Sequence, residues 1–147
     1  MRIVASPCAW WLACAAPLLM ASAGVAVAQV QTSPDDRARS LAIEAGRETY
    51  RQFCAPCHGQ DARGNGPVAR LLLNPPVDLT MVSRRNNGEF PEIMFEAMLT
   101  FTRLQTAAHG TGQMPIWGPV FKSVDSSETL ARARVVNLIA YLESIQR

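Results

Sequence analysis

Cys54 and Cys57, separated by Ala55 and Pro56 and followed directly by His58, place two thiols and an imidazole in one short stretch of chain. At this spacing both thiols can add to the vinyl groups of one porphyrin while the next residue offers a ring nitrogen to its iron, which is the attachment pattern of a c-type haem. Two other chemistries use the same residue types: a redox dithiol with an incidental His, and half of a zinc site. Zinc would need two more ligands, and the other cysteines, Cys8 and Cys14, fall in an apolar leader. The expected cofactor is one covalently bound haem c per chain, held by Cys54 and Cys57, with His58 as the proximal iron ligand.

A second axial ligand is then required. Gly110-Thr111-Gly112-Gln113-Met114-Pro115-Ile116-Trp117-Gly118 presents a methionine in a stretch stiffened by Pro115 and flanked by glycines. A thioether is a soft ligand, and Met paired with His raises the reduction potential of the iron. Met114 is therefore the expected distal ligand. Met81, Met94, Met98 and His109 are its rivals; Met94 and Met98 sit on a helical stripe, where methionine usually fills a core, and His109 is the other imidazole in the chain.

The elements that must position these residues begin after a leader. Arg2 is the only charge before an uncharged run from Ile3 to Val30, and Ala26-Val27-Ala28 precedes Gln29. Residues 1–28 thus read as a secretory signal with an Ala-x-Ala cleavage site, or as an anchor if uncleaved, since such a run could span a bilayer. Export fits the cofactor, because outside the cytoplasmic membrane paired thiols would otherwise oxidise to a disulfide. The expected location is the periplasm, with membrane attachment only if the leader is retained.

Losing residues 1–28 removes one of the 14 basic residues and none of the 12 acidic ones. A chain so nearly neutral, without a Lys/Arg run, is not expected to bind nucleic acid. Its length leaves room for one small domain over 41–147 after a lead-in at 29–40, and for no second, catalytic one.

Ser33-Pro34-Asp35-Asp36 reads as a helix start, with Ser as cap, Pro in the first turn and acids where the helix dipole favours them. Ala42, Gly46, Thr49, Tyr50 and Phe53 fall on one face of the helix that follows. An interior glycine costs a helix roughly 1 kcal/mol relative to Ala, so Gly46 implies close approach of another helix. Asp125 and Glu128 mark the cap of a last helix over about 126–145, with Val135, Leu138, Leu142 and Ile145 on its apolar face and Tyr141 at the edge. A third stripe runs through Phe90, Met94, Ala97, Met98 and Phe101. No alternating strand pattern occurs. The expected fold is all-α, with about four or five helices.

Two stretches resist regular structure. Gly59 to Pro67 is rich in glycine and polar residues and predicts a chain turning tightly around a bulky object. Asn74-Pro75-Pro76-Val77-Asp78-Leu79 is held extended by its prolines. A small domain with so much loop needs an apolar body to fold around, and a porphyrin supplies one.

Gly46, Tyr50, Cys54 to Gly59, Gly64-Asn65-Gly66-Pro67, Pro76-Val77-Asp78-Leu79, Met114 to Gly118 and Tyr141-Leu142 together resemble the bacterial class I c-type cytochromes, over nearly all of the chain after the leader. The resemblance implies a small helical fold in which the first and last helices cross near Gly46, Tyr50 and Tyr141. It implies that the Pro67 carbonyl accepts the second imidazole N–H of His58, and that Trp117 either donates its indole N–H to a haem propionate or simply packs. Arg63, Arg70, Arg84 and Arg85 are the cations available to the propionates. Two departures are the long stretch from Thr100 to Ala108 ahead of the methionine and the presence of a single lysine, Lys122, which leaves no lysine ring for steering partners.

The implied function is transfer of single electrons between redox protein partners, a periplasmic dehydrogenase upstream and a terminal oxidase or reductase downstream. The protein would be a soluble carrier or the cytochrome subunit of such a chain, and not itself an enzyme. The alternative is a haem enzyme or gas sensor with an open or displaceable sixth ligand, for which His109 would be the distal acid or base.

Overall fold

The computed structural model describes residues 33–100, 114–125 and 127–147, all within the unit spanning Thr32–Arg147. The leader, His109 and Phe101 lie outside the described residues. Helix α1 runs Pro34–Phe53, with Ser33 as N-cap accepting from the Asp36 N–H and Asp35 and Asp36 in the first turn. The expected lead-in at 29–40 thus already contains the first turns of α1. One-turn helices follow at Ala55–His58 (α2) and Val82–Arg85 (α3); then come α4, Glu92–Thr100, α5, Trp117–Val124, and α6, Glu128–Ser144. Short 3-10 turns occupy Ala69–Leu71 and Leu79–Met81. Among the described residues there is no strand, and no helix is long and apolar enough to cross a membrane.

The crossing of α1 and α6 organises the rest. A Cβ added at Gly46 would fall on the carbonyl of Asn137 and 2.8 Å from the Tyr141 Cβ, so the two backbones touch there. Tyr50, fully buried one turn further on, stacks obliquely on Tyr141 at 5.3 Å. Its phenol donates to the Gly59 carbonyl at 2.6 Å. Burial raises the Tyr50 pKa well above the ordinary tyrosine value, so the donor stays protonated and ties the crossing to the end of the Cys54–His58 motif. Leu138 and Leu142 lie on the same buried face of α6, with Ile139 and Val135.

Helix α5 was not legible as a helix, and its presence changes the reading of Asp125. The residue does not cap α6; Ser127 does, accepting from the Leu130 N–H at 3.2 Å. Asp125 ends α5 and is clasped by Arg134 of α6 through two bonds of 2.9 and 2.7 Å. A carboxylate held by a bidentate guanidinium gains more from that pair than from a cap. The same guanidinium lies 5.9 Å over the Phe53 ring and 5.5 Å over that of Phe121, so a single cation joins α1, α5 and α6. Gly118 lets α5 close on the end of α4, since a Cβ there would stand 3.1 Å from the Thr100 Cα.

Replacing Gly46 by Ala is expected to destabilise the fold by about 1–3 kcal/mol, because overpacking a tight contact outweighs the gain in helix propensity; a thermal melt at or above the wild-type midpoint would show that α1 and α6 are not in backbone contact. The hydrogen bonds from Arg134 hold the Asp125 carboxyl below the usual carboxylate range. Its stabilising contribution is therefore complete above the unfolded value near ~3.9 and is lost as pH falls through the lower folded one. Asp125→Asn should lower Tm at pH 7, and the difference from wild type should shrink as the pH is taken below 3.9; a gap that stays constant with pH would contradict the pairing.

Candidate haem site

The end of α1 delivers the motif. The Cys54 and His58 amides donate to the Tyr50 and Cys54 carbonyls at 2.8 Å each, so the chain passes from α1 into α2 almost without a break and Cys54, Cys57 and His58 project from one continuous turn. All three line a cavity of about 630 Å³, within the range of about 300–1,000 Å³ typical of ligand sites. Its walls come from distant parts of the described chain: Phe53, the run from Asn74 to Val77, Phe95, Met98 and Leu99 of α4, Met114 and Trp117, and Leu138 with Leu142 of α6. The lining is predominantly apolar.

The structure thus brings Cys54, Cys57, His58, Met114 and Trp117 to one space, although they are far apart in the chain. Of the rival methionines, Met94 and Met98 also reach this cavity and Met81 does not line it. Met98 and Phe95 are buried in α4.

Cys54 is nearly fully buried, and burial together with the neighbouring Cys57 pushes its thiol up to about 12. A redox-active dithiol needs the opposite, a thiol lowered toward neutrality so that the thiolate can attack. The environment therefore disfavours the thioredoxin-like alternative. His58 is held below the ordinary imidazole value by burial, with the Val77 carbonyl opposing, which keeps the ring neutral and able to ligate.

The resemblance implies a carbonyl acceptor for the His58 ring at Pro67. The Nδ1 of His58 lies 3.3 Å from the carbonyl oxygen of Val77, where the resemblance had placed Pro67. Pro67 belongs to a different, shallower pocket with Arg51, Pro56 and Asn65. The reason is the course of the Gly59–Pro67 loop. It folds back onto the motif's own backbone, with the Gly64 amide donating to the His58 carbonyl at 2.7 Å, Gly66 to Cys57 at 3.0 Å and Val68 to Pro56 at 2.9 Å. A side chain at Gly66 would collide with the Ala55 and Pro56 carbonyls. The loop braces the motif from behind, and the extended run Pro75–Asp78 borders the cavity instead. Nothing in the residue types around Pro67 or Val77 distinguishes these two paths.

Of the four candidate propionate cations, Arg85 lines the cavity; Arg63 is paired with Asp61 at 3.6 Å. Trp117 begins α5 against Phe53 and Phe121, at centroid separations of 5.6 and 5.8 Å. Its indole Nε1 is buried and has no hydrogen-bond partner among the described residues. A buried donor left unpaired is costly, and an anionic acceptor in the cavity would relieve it. Apolar walls, two thiols and an imidazole on one turn, a thioether, an unpaired indole N–H and an arginine fit a porphyrin with two carboxylates.

An all-α domain whose elements converge on such a site is a class I c-type cytochrome domain, and a c-type haem and electron transfer are what that class implies. The profile of the family described as cytochrome C oxidase, cbb3-type, subunit III, matches residues 41–142, and the chain belongs to that family. No curated protein and no solved structure matches it.

Proposed function

We propose that this protein is a monohaem c-type cytochrome that passes single electrons between redox protein partners in the periplasm. The observation that carries this is the convergence of Cys54, Cys57, His58 and Met114 on one largely apolar cavity. Cys54 and Cys57 would hold the porphyrin through their sulfurs, and His58 and Met114 would ligate its iron, since all four line the one cavity. When bound, the haem supplies one-electron oxidation and reduction.

The chain's own residues keep the site ready for that exchange. Val77 orients the His58 ring through its carbonyl, which sets the tautomer and strengthens the ligand. Phe95, Met98, Leu99, Leu138 and Leu142 exclude water, and a dry, low-dielectric site is one of the levers a protein has on potential. Trp117 and Arg85 offer an N–H and a positive charge to the carboxylates. With Met114 as the second protein ligand, the iron would have no position open for substrate, which favours a relay over a catalyst. The family's description favours an oxidase chain as the setting, with this protein as carrier or cytochrome subunit.

Optical and magnetic spectra of the purified protein in both oxidation states test the ligand set. The expected result is a six-coordinate, low-spin iron with a sulfur signature and poor uptake of carbon monoxide, and Met114→Ala should lose the sulfur signature, bind carbon monoxide and show a lower potential. A high-spin ferrous wild type that takes up carbon monoxide at once would end the relay reading in favour of a haem enzyme or gas sensor. Attachment is checked separately: the double variant Cys54→Ser with Cys57→Ser should retain no haem after denaturation in acid acetone, and haem that still travels with the polypeptide would place the linkage elsewhere.

A further inference from the structure

The residues that follow α6 engage a segment far away in the chain. Gln146 uses both faces of its carboxamide: Nε2 donates to the carbonyls of Leu79 at 2.9 Å and Leu142 at 2.6 Å, and Oε1 accepts from the Ser83 N–H at 2.9 Å. Arg147 donates its backbone N–H to the Thr80 carbonyl at 3.0 Å, and its guanidinium donates to the Thr80 hydroxyl at 3.0 and 2.8 Å. Thr80 in turn donates to Asp78 at 2.6 Å, and Asp78 accepts from the Thr80 amide at 2.8 Å. Two consecutive residues thus fasten the stretch from Asp78 to Ser83 to the end of α6.

Leu79 and Thr80 are buried, but the stretch has little regular structure of its own to hold it. It consists of a three-residue 3-10 turn and a one-turn helix, both too short to persist unaided. Its backbone tie to the rest of the site is the Leu79 N–H, which donates to the Ala62 carbonyl at 2.8 Å; among the described residues, the Val82 and Ser83 carbonyls accept only from Asn86 and Gly88, just beyond it. Yet it enters and leaves through the site: Val77, just before it, presents the carbonyl 3.3 Å from the His58 Nδ1, and Val82 and Arg85 line the cavity. A carbonyl bound to the outer nitrogen of a ligating histidine controls ring orientation and basicity, so whatever fixes that carbonyl acts on the ligand.

We infer that Gln146 and Arg147 are positioning residues for the His58 ligand, acting through the Asp78–Ser83 segment on the Val77 carbonyl. The inference rests on His58 being an iron ligand, as proposed above. Releasing the clamp loosens the Val77 carbonyl, weakens electron donation by the imidazole and so favours the ferrous state.

The test uses the haem-loaded, full-length protein and two readouts: hydrogen exchange of the His58 Nδ1–H by NMR, and the midpoint potential by spectroelectrochemistry. Gln146→Ala should speed the exchange several-fold and raise the potential. Arg147→Ala, which keeps the backbone N–H to Thr80, should do the same to a smaller extent and serves if Gln146→Ala does not fold. Val135→Ala, a core truncation on α6 away from the cavity lining, should lower Tm while leaving both readouts at wild-type values. Variants at 146 and 147 that melt earlier yet keep wild-type exchange and potential would reduce the clamp to a structural tie and overturn the inference alone. A wild-type protein without a His-ligated, low-spin iron would overturn the functional reading and this inference with it.

Discussion

The backbone contact between α1 and α6 at Gly46 is the constraint on which the other features depend. Because no side chain separates Gly46 from the Asn137 carbonyl, α1 and α6 approach far enough for Tyr50 to stack on Tyr141 and still reach the Gly59 carbonyl. The motif is therefore not on a free loop. It leaves α1 in a fixed direction, and the Leu138–Leu142 face of α6 stands opposite it as a wall of the same cavity. A pair of helices separated by one methyl group more would still be amphipathic, but would not present the same wall to the same turn.

Around that crossing, polar groups decide details that apolar packing leaves open. Arg134 is the example inside the helical frame: held by Asp125 and lying over Phe53 and Phe121, it sets where α5 ends and, through α5, where Trp117 begins. A solvated ion pair would contribute little, but this one is partly buried, with 26% and 11% of the two side chains exposed, and spans three helices. Gln146 and Arg147 play the corresponding part for the chain between Val77 and Arg85. The result is a cavity whose apolar walls come largely from helices and whose border at Val77 and Arg85 comes from short segments that the helices clamp.

The long helices were legible because their causes are local. Ser33-Pro34-Asp35-Asp36 opens α1 as its capping chemistry requires, and the face carrying Gly46, Tyr50 and Phe53 follows from spacing alone. That Cys54, Cys57, His58 and Met114 belong to one space was legible because a single cofactor can use all four side chains, and the structure does place them around one cavity. Three features were not. Helix α5 is short and begins next to a stretch that reads as loop; the cap of α6 was assigned to Asp125, whose preference for Arg134 depends on a residue nine positions on; and the Val77 carbonyl beside the His58 ring was not foreseen, because a glycine-rich loop gives no sign of which side of the motif it will cover.

What the residues determine by themselves is the inventory: two thiols, an imidazole and a thioether suited to one cofactor, and helices long enough to enclose it. Spacing and side-chain chemistry act over a few residues, so they survive in a linear reading. Which backbone carbonyl meets His58, which arginine faces the cavity and which residues hold the segment between them were decided by the tertiary structure alone. Each depends on chain segments brought together after the helices pack, where a difference of an ångström or two in the path of a loop chooses between Pro67 and Val77, and no local propensity encodes that choice.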